Sequence, residues 1–152
     1  MSILVTGGSG LIGTYLKEIL PDATYVSSKD FNLVNQEEVS LMFKKIKPTT
    51  VIHLAALVGG IHHNIQEPVK YFEENILMNT FMLRESFKNN VKHFTGILSS
   101  CIYPDEINEF PIKEDKLLIG APHKDLFSYS YAKRCMAIQI DMYNKKHETK
   151  YN

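Results

Sequence analysis

The chain has 152 residues, 44% of them hydrophobic, which suits one globular unit that buries about two thirds of its unfolded surface. Seventeen basic and seventeen acidic side chains cancel without a run of like charge, so composition favours neither nucleic acid nor an anionic membrane as a partner. Two cysteines outside any C-x-x-C or zinc spacing, and no apolar run near the roughly eighteen residues that cross a bilayer, point to a reducing, soluble compartment, expected to be the cytoplasm.

The first predicted element is a β-branched strand, Ile3 to Thr6, which breaks into T-G-G-S-G-L-I-G and enters a helix through Leu11 and Ile12. Glycines suit a turn where backbone N–H groups must reach a diphosphate, and the helix end favours negative charge. Gly7, Gly10 and Gly13 fit T-G-x-x-G-x-x-G, while Gly8, Gly10 and Gly13 fit G-x-G-x-x-G. The pattern predicts dinucleotide binding; its bland alternative is a glycine-rich β-to-α turn. Leu11, Tyr15, Leu16, Ile19 and Leu20 give the helix an apolar stripe, and Pro21 with Asp22 closes it.

Ala23 to Val26 is the second strand, and its tip reads Ser27, Ser28, Lys29. Two hydroxyls and an ammonium suit the 2′-phosphate of NADP, whereas an acid there would pair the free ribose hydroxyls of NAD. Asp30 is the counter-argument, since a small register shift puts a carboxylate on the ribose. Gln36 to Ile46 reads as a helix and Thr50 to Leu54 as a strand running into Ala55 and Ala56, whose small side chains let backbone approach a cofactor. Val58, Gly59, Gly60 and Ile61 read as a flexible loop at the ligand-binding edge. His62 and His63 adjoin it, but neighbours cannot both face one metal, and no metal is expected.

A long helix is predicted from Pro68 to Asn89, apolar at Phe72, Ile76, Met78, Phe81, Met82 and Phe87. Phe94 to Leu98 is the fourth strand, ending in S-S-C-I-Y-P; Pro104 to Asp125 reads as a lid or a surface connection, and Asp125 to Lys146 as a helix. Tyr129 and Lys133 share a face of that helix. Bringing a phenol from a pKa of about 10 to about 7 takes roughly 4 kcal/mol. A cation about 4 Å away supplies that only at an effective dielectric near about 20, so Lys133 is expected to acidify Tyr129 in a partly dry site, with Ser99 sharing the hydrogen bond to a reacting carbonyl. A core tyrosine with a surface lysine is the plainer alternative for Y-x-x-x-K alone.

In this order, T-G-G-S-G-L-I-G, V-S-S-K-D, H-L-A-A-L-V-G-G-I, S-S-C-I-Y-P and Y-S-Y-A-K-R resemble the extended short-chain dehydrogenase/reductase superfamily and, within it, the GDP-L-fucose synthase family. The resemblance implies an α/β fold, a Rossmann-type doubly wound parallel sheet. Residues 1–152 would be its NADP-binding part, without the last strands and without the C-terminal sugar-nucleotide domain. It implies epimerisation on both sides of the keto group of GDP-4-keto-6-deoxy-D-mannose, then reduction by NADPH. Ser99, Tyr129 and Lys133 would be the reductase triad and Cys101 an epimerisation acid/base. A thiol, with an ordinary pKa near about 8.5, suits exchange at carbons beside a keto group.

Gly7, Gly10, Leu11, Ile12, Gly13, Ser27, Ser28, Lys29, Leu54, Ala55, Ala56, Leu98, Tyr129 and Lys133 would hold the cofactor, and Val58, Gly59, Gly60, Ser99 and Cys101 the substrate. None of the six histidines matches the family's second epimerisation residue. The fourth strand is expected to lack an outer neighbour, the segment alone to be inactive, and the longer protein to dimerise through the two long helices around Phe81 and Met136. A non-catalytic NADP-binding module and an NAD-dependent sugar-nucleotide epimerase or dehydratase are the alternatives.

Overall fold

Five short apolar runs pair into one parallel sheet in the computed structural model, which describes residues 2–152. The strands are β1 (Ile3–Thr6), β2 (Thr24–Val26), β3 (Thr50–His53), β4 (His93–Gly96) and β5 (Lys150–Tyr151), in the order β2-β1-β3-β4-β5. From the inner strand β1 the chain goes one way to β2 and then back across to β3. The exits of these strands part at a crevice, the place where open parallel sheets bind ligands. Thr6 is level with Val26 on one side and His53 on the other, so all three strand ends deliver their loops to one edge.

The crossovers are α1 (Leu11–Ile19), α2 (Gln36–Ile46), a short α3 (Ile61–Gln66) leading into α4 (Pro68–Lys88), and α5 (Phe127–His147). Asn35 starts α2 by accepting hydrogen bonds from the Glu37 and Glu38 amides, and Pro68 starts α4 where its missing N–H costs nothing. Alternate strand residues Leu4, Val51 and Phe94 are fully buried, in one cluster with Met42 and Phe43 of α2, Met82 of α4 and Met136 of α5. The right-handed crossover rule puts those three helices on one face and α1 on the other.

Two apolar stripes take faces that their spacing does not reveal. Leu11, Tyr15 and Ile19 of α1 are 77%, 63% and 73% exposed, and only Gly13 of that helix is buried. The period is helical, but the stripe looks to solvent. On α4, Met78 and Met82 go inward with Asn75 and Asn79, while Phe72 and Phe87 stay outside. The asparagines are inside because they hydrogen-bond to partners there, which hydrophobicity cannot show.

Contrary to expectation, β4 has an outer neighbour. Glu148 ends α5 in the left-handed region at φ 53°, the chain reverses, and Lys150–Tyr151 pairs in parallel with His93 and Phe94. Asn144 secures the return, donating from Nδ2 to the Tyr151 carbonyl (2.7 Å) and accepting at Oδ1 from the Tyr151 amide (3.0 Å). Gly96 N–H then donates to the Asn152 carbonyl at 2.6 Å.

Candidate active site

The glycine turn is built by contacts that forbid a side chain. Gly7 has φ +71° and lies so close to β3 that a Cβ would sit 2.8 Å from the Ala55 nitrogen. A Cβ on Gly13 would meet the Gly7 oxygen at 2.5 Å and the Gly8 Cα at 2.8 Å, so helix and turn touch backbone to backbone. Gly10 is the N-cap of α1 and offers no side-chain oxygen, nor is there an acid in the first turn. The first amide hydrogens of α1 are therefore left for an anion at the crevice.

Above the turn lies a cavity of about 660 Å³. Gly7, Gly10, Leu11, Ile12 and Gly13 form its floor; Ser27 and Ser28 stand at the β2 tip, and Leu54, Ala55, Ala56 and Val58 at the β3 exit. Leu98, Ser99, Tyr129 and Lys133 close the far end. Amide donors, a cradle that a Cβ would fill, and a mostly apolar wall fit a dinucleotide. Phe31, Asn32, Leu33 and Glu74 line it too. The turn residue Asn32 after a strand was a usable signal, but Glu74 has none, being one of many acids on a helix.

Lys29, Gly59, Gly60 and Cys101 do not line this cavity. Lys29 is exposed beyond it. Asp30 accepts from both the Ser27 amide and hydroxyl at 2.8 Å, and those bonds hold its carboxyl below the usual range; it braces the β2 tip. The loop at Gly59 and Gly60, expected to be flexible, is pinned because Asn64 Nδ2 donates to both carbonyls (3.1 and 3.2 Å) as α3 begins. Cys101 stands just behind the lining, where its thiol donates to Ser99 Oγ at 3.1 Å.

Lys133 is 2% exposed and donates to the Ile97 carbonyl at 2.7 Å, with Nζ 6.0 Å from the Tyr129 ring centre. Burial pulls its ammonium down to about 8, against which the Cys101 charge works. Burial also pushes the Tyr129 phenol up, the Cys101 charge adds to this, and the Ser99 hydrogen bond opposes it. From the sequence, Lys133 is expected to acidify the phenol once a bound nicotinamide dries the site. Here burial itself raises the phenol, and the ammonium's hydrogen bond goes to a backbone carbonyl.

Residues 3–152 match the model of the NAD dependent epimerase/dehydratase family. The chain belongs to that family. It is 37% identical to a GDP-L-fucose synthase of Dictyostelium discoideum, over 99% of this chain and 49% of the relative, and 35% identical to a probable GDP-L-fucose synthase of Drosophila melanogaster, over 98% and 48%. The crystal structure of a GDP-L-fucose synthetase from Naegleria fowleri bound to NADP superposes with a TM-score of 0.88 at 37% identity, over 99% of this chain and 50% of that one. The chain spans about half the length of the curated relatives it matches.

Beneath this family cavity, His53 links the two ends of the site. The Ala55 amide donates to Thr6 Oγ1 (3.2 Å), Thr6 Oγ1 meets His53 Nδ1 (2.8 Å), His53 Nε2 meets Asn79 Oδ1 (3.1 Å), and Asn79 Nδ2 donates to the Ala132 carbonyl (3.5 Å). An amide oxygen only accepts, so Nε2 carries the hydrogen and Nδ1 accepts from the threonine. Burial, reinforced by the Lys133 charge, lowers His53 to about 3. It is a neutral strut. Among the described residues no group of three or more His, Cys, Asp or Glu gathers to hold a metal.

Proposed function

We propose that this chain is the NADP-binding part of an epimerase-reductase that converts GDP-4-keto-6-deoxy-D-mannose to GDP-L-fucose. The observation that carries the reading is a single cavity joining the glycine turn to Ser99, Tyr129 and Lys133, with Cys101 hydrogen-bonded to Ser99. The amides of Leu11, Ile12 and Gly13 would hold the diphosphate; Ser28 would hydrogen-bond the 2′-phosphate, which Lys29 would reach from its exposed turn, while Ser27, whose hydroxyl is spent on Asp30, shapes the β2 tip beneath it. Leu54, Ala55, Ala56 and Leu98 keep the cofactor pocket narrow and dry. When bound, NADPH would supply the hydride.

The chain's own residues handle protons. Cys101 exchanges a proton with one face of a carbon beside the keto group, whose acidity comes from the carbonyl, and inversion there takes a second acid/base on the opposite face, a role assigned to no residue of this chain. Ser99 and Tyr129 hydrogen-bond the carbonyl oxygen, and Tyr129 releases its proton there as the alcohol forms. A phenol pushed up by burial is reliably protonated before that step, and the Lys133 ammonium stabilises the phenolate afterwards. Val58, Gly59 and Gly60 border the substrate side. The full-length protein works in the cytoplasm as a homodimer, and the 152-residue chain alone binds cofactor without turnover.

Titrating the 152-residue chain with NADPH and with NADH, following nicotinamide fluorescence, tests the cofactor half of this reading. NADPH is expected to bind at least ten-fold tighter, and Lys29→Ala to narrow the gap. Equal affinities, or tighter NADH binding, count against it.

A further inference from the structure

Next to Lys133 on α5 is a second buried cation that the chemistry above does not use. Arg134 is 4% exposed; its Nε donates to the Ile102 carbonyl at 2.5 Å and Nη1 to the Gly120 carbonyl at 2.6 Å, while the guanidinium lies 5.3 Å from the Tyr131 ring centre. A guanidinium this deep is retained where its hydrogen bonds offset lost hydration. Both of these go to backbone outside its own helix. One is the last carbonyl of the Ser100–Ile102 turn, and the other closes the segment that leaves that turn at Tyr103 and returns to α5.

We propose that Arg134 is a positioning residue that fixes the Cys101 thiol relative to Tyr129 and Lys133. Tyr129 and Lys133 stand on α5, whereas Cys101 stands on a three-residue 3-10 turn, too short to hold itself. Within that turn only the Ser99 and Ser100 carbonyls accept from amides of the segment, at 3.2 and 3.3 Å, and the Ile102 carbonyl at its end is met by the Arg134 fork. The fork belongs to the helix that carries the phenol and ammonium, so thiol and phenol share one rigid frame. Lysine has three donors on one point charge but no planar fork, so it cannot reproduce both bonds in the geometry that Arg134 fixes. This deepens the epimerase-reductase reading, on which the acid/base role of Cys101 rests.

The test uses the 152-residue chain and its Arg134→Lys and Arg134→Gln variants. Iodoacetamide alkylation of Cys101 and Cys135 is followed by peptide mass, alongside NADPH titration and circular dichroism. Freed of its clamp, Cys101 should alkylate at least five-fold faster in Arg134→Gln and by an intermediate factor in Arg134→Lys. Cys135, the neighbour of Arg134 on the helix, and NADPH affinity should stay within two-fold. An unchanged Cys101 rate, a parallel rise at Cys135, or failure of both variants to fold overturns the proposal, the last two because Arg134 then supports α5 in general. Absence of NADPH binding in the parent chain would sink the functional reading instead, and leaves the Cys101 comparison intact.

Discussion

His53 and Lys133 are both enclosed, and their pKa values fix how stability responds to pH. The folded His53 stays neutral down to about 3, whereas its ordinary value is 6.5. As pH falls below 6.5 the unfolded chain takes up a proton that the folded one refuses, so stability present above that pH is lost at up to about 1.4 kcal/mol per unit. His53→Gln should flatten the fall in urea midpoint between pH 6.5 and 4; a wild-type slope would assign the acid loss to other groups. Lys133 acts in the same sense at higher pH. With a folded value of about 8 against 10.5, the folded state has given up a proton that the unfolded state keeps, and stability rises with pH through that window. Lys133→Met should therefore stabilise the chain at pH 7 by about 1–3 kcal/mol, read as a higher urea midpoint, since the charge that burial penalises is gone. That Ser99, Tyr129 and Lys133 line one cavity was legible in the sequence, from the strand exit that carries the first and the helical spacing of the other two. The fate of the Tyr129 proton was not, because burial and a 6.0 Å separation are tertiary quantities.

At the scale of elements, periodicity named the long helices to within a few residues but not the faces they bury. A stripe at helical spacing says that Leu11, Tyr15 and Ile19 lie together, and nothing about what they lie against. The six-residue α3 was not anticipated, only its first residue Ile61 having been read, as the end of a loop, because the helix is shorter than two turns, too brief to show a period, and its anchor is the Asn64 side chain. The glycine turn was the most legible element. Its contacts are backbone on backbone, so no rotamer change can relieve an added methyl. Gly13→Ala should lower NADPH affinity more than ten-fold in a fluorescence titration while the far-ultraviolet circular dichroism stays close to the parent's.

Across the whole molecule, one face of the sheet is packed under α2, α4 and α5 and the other carries α1 alone among the described residues, while relatives are twice as long. No helix among the described residues is long and apolar enough to cross a membrane. The homodimer proposed above cannot use Met136, which is fully buried, so its seam must fall on outward residues such as Leu77 and Met142, 40% and 61% exposed. A protein of the relatives' length should then elute as a dimer at micromolar concentration in light-scattering chromatography, and Met142→Glu should shift it to monomer; a persistent monomer in the parent rules the seam out. Sequence alone implied the doubly wound order, yet missed β5, because Lys150 and Tyr151 are strand only by virtue of the Asn144 staple.

The bonded line beneath the cavity has a direction. From Ala55 through Thr6, His53 and Asn79 to the Ala132 carbonyl, every hydrogen points toward α5, so the dipoles add and each link polarises the next. Thr6→Val and Asn79→Leu should for that reason cost less together than the sum of their separate losses in a urea double-mutant cycle. A strand beside the phosphate cradle and the peptide unit just before the lysine thus behave as one polarised wire, cut as thoroughly by one break as by two.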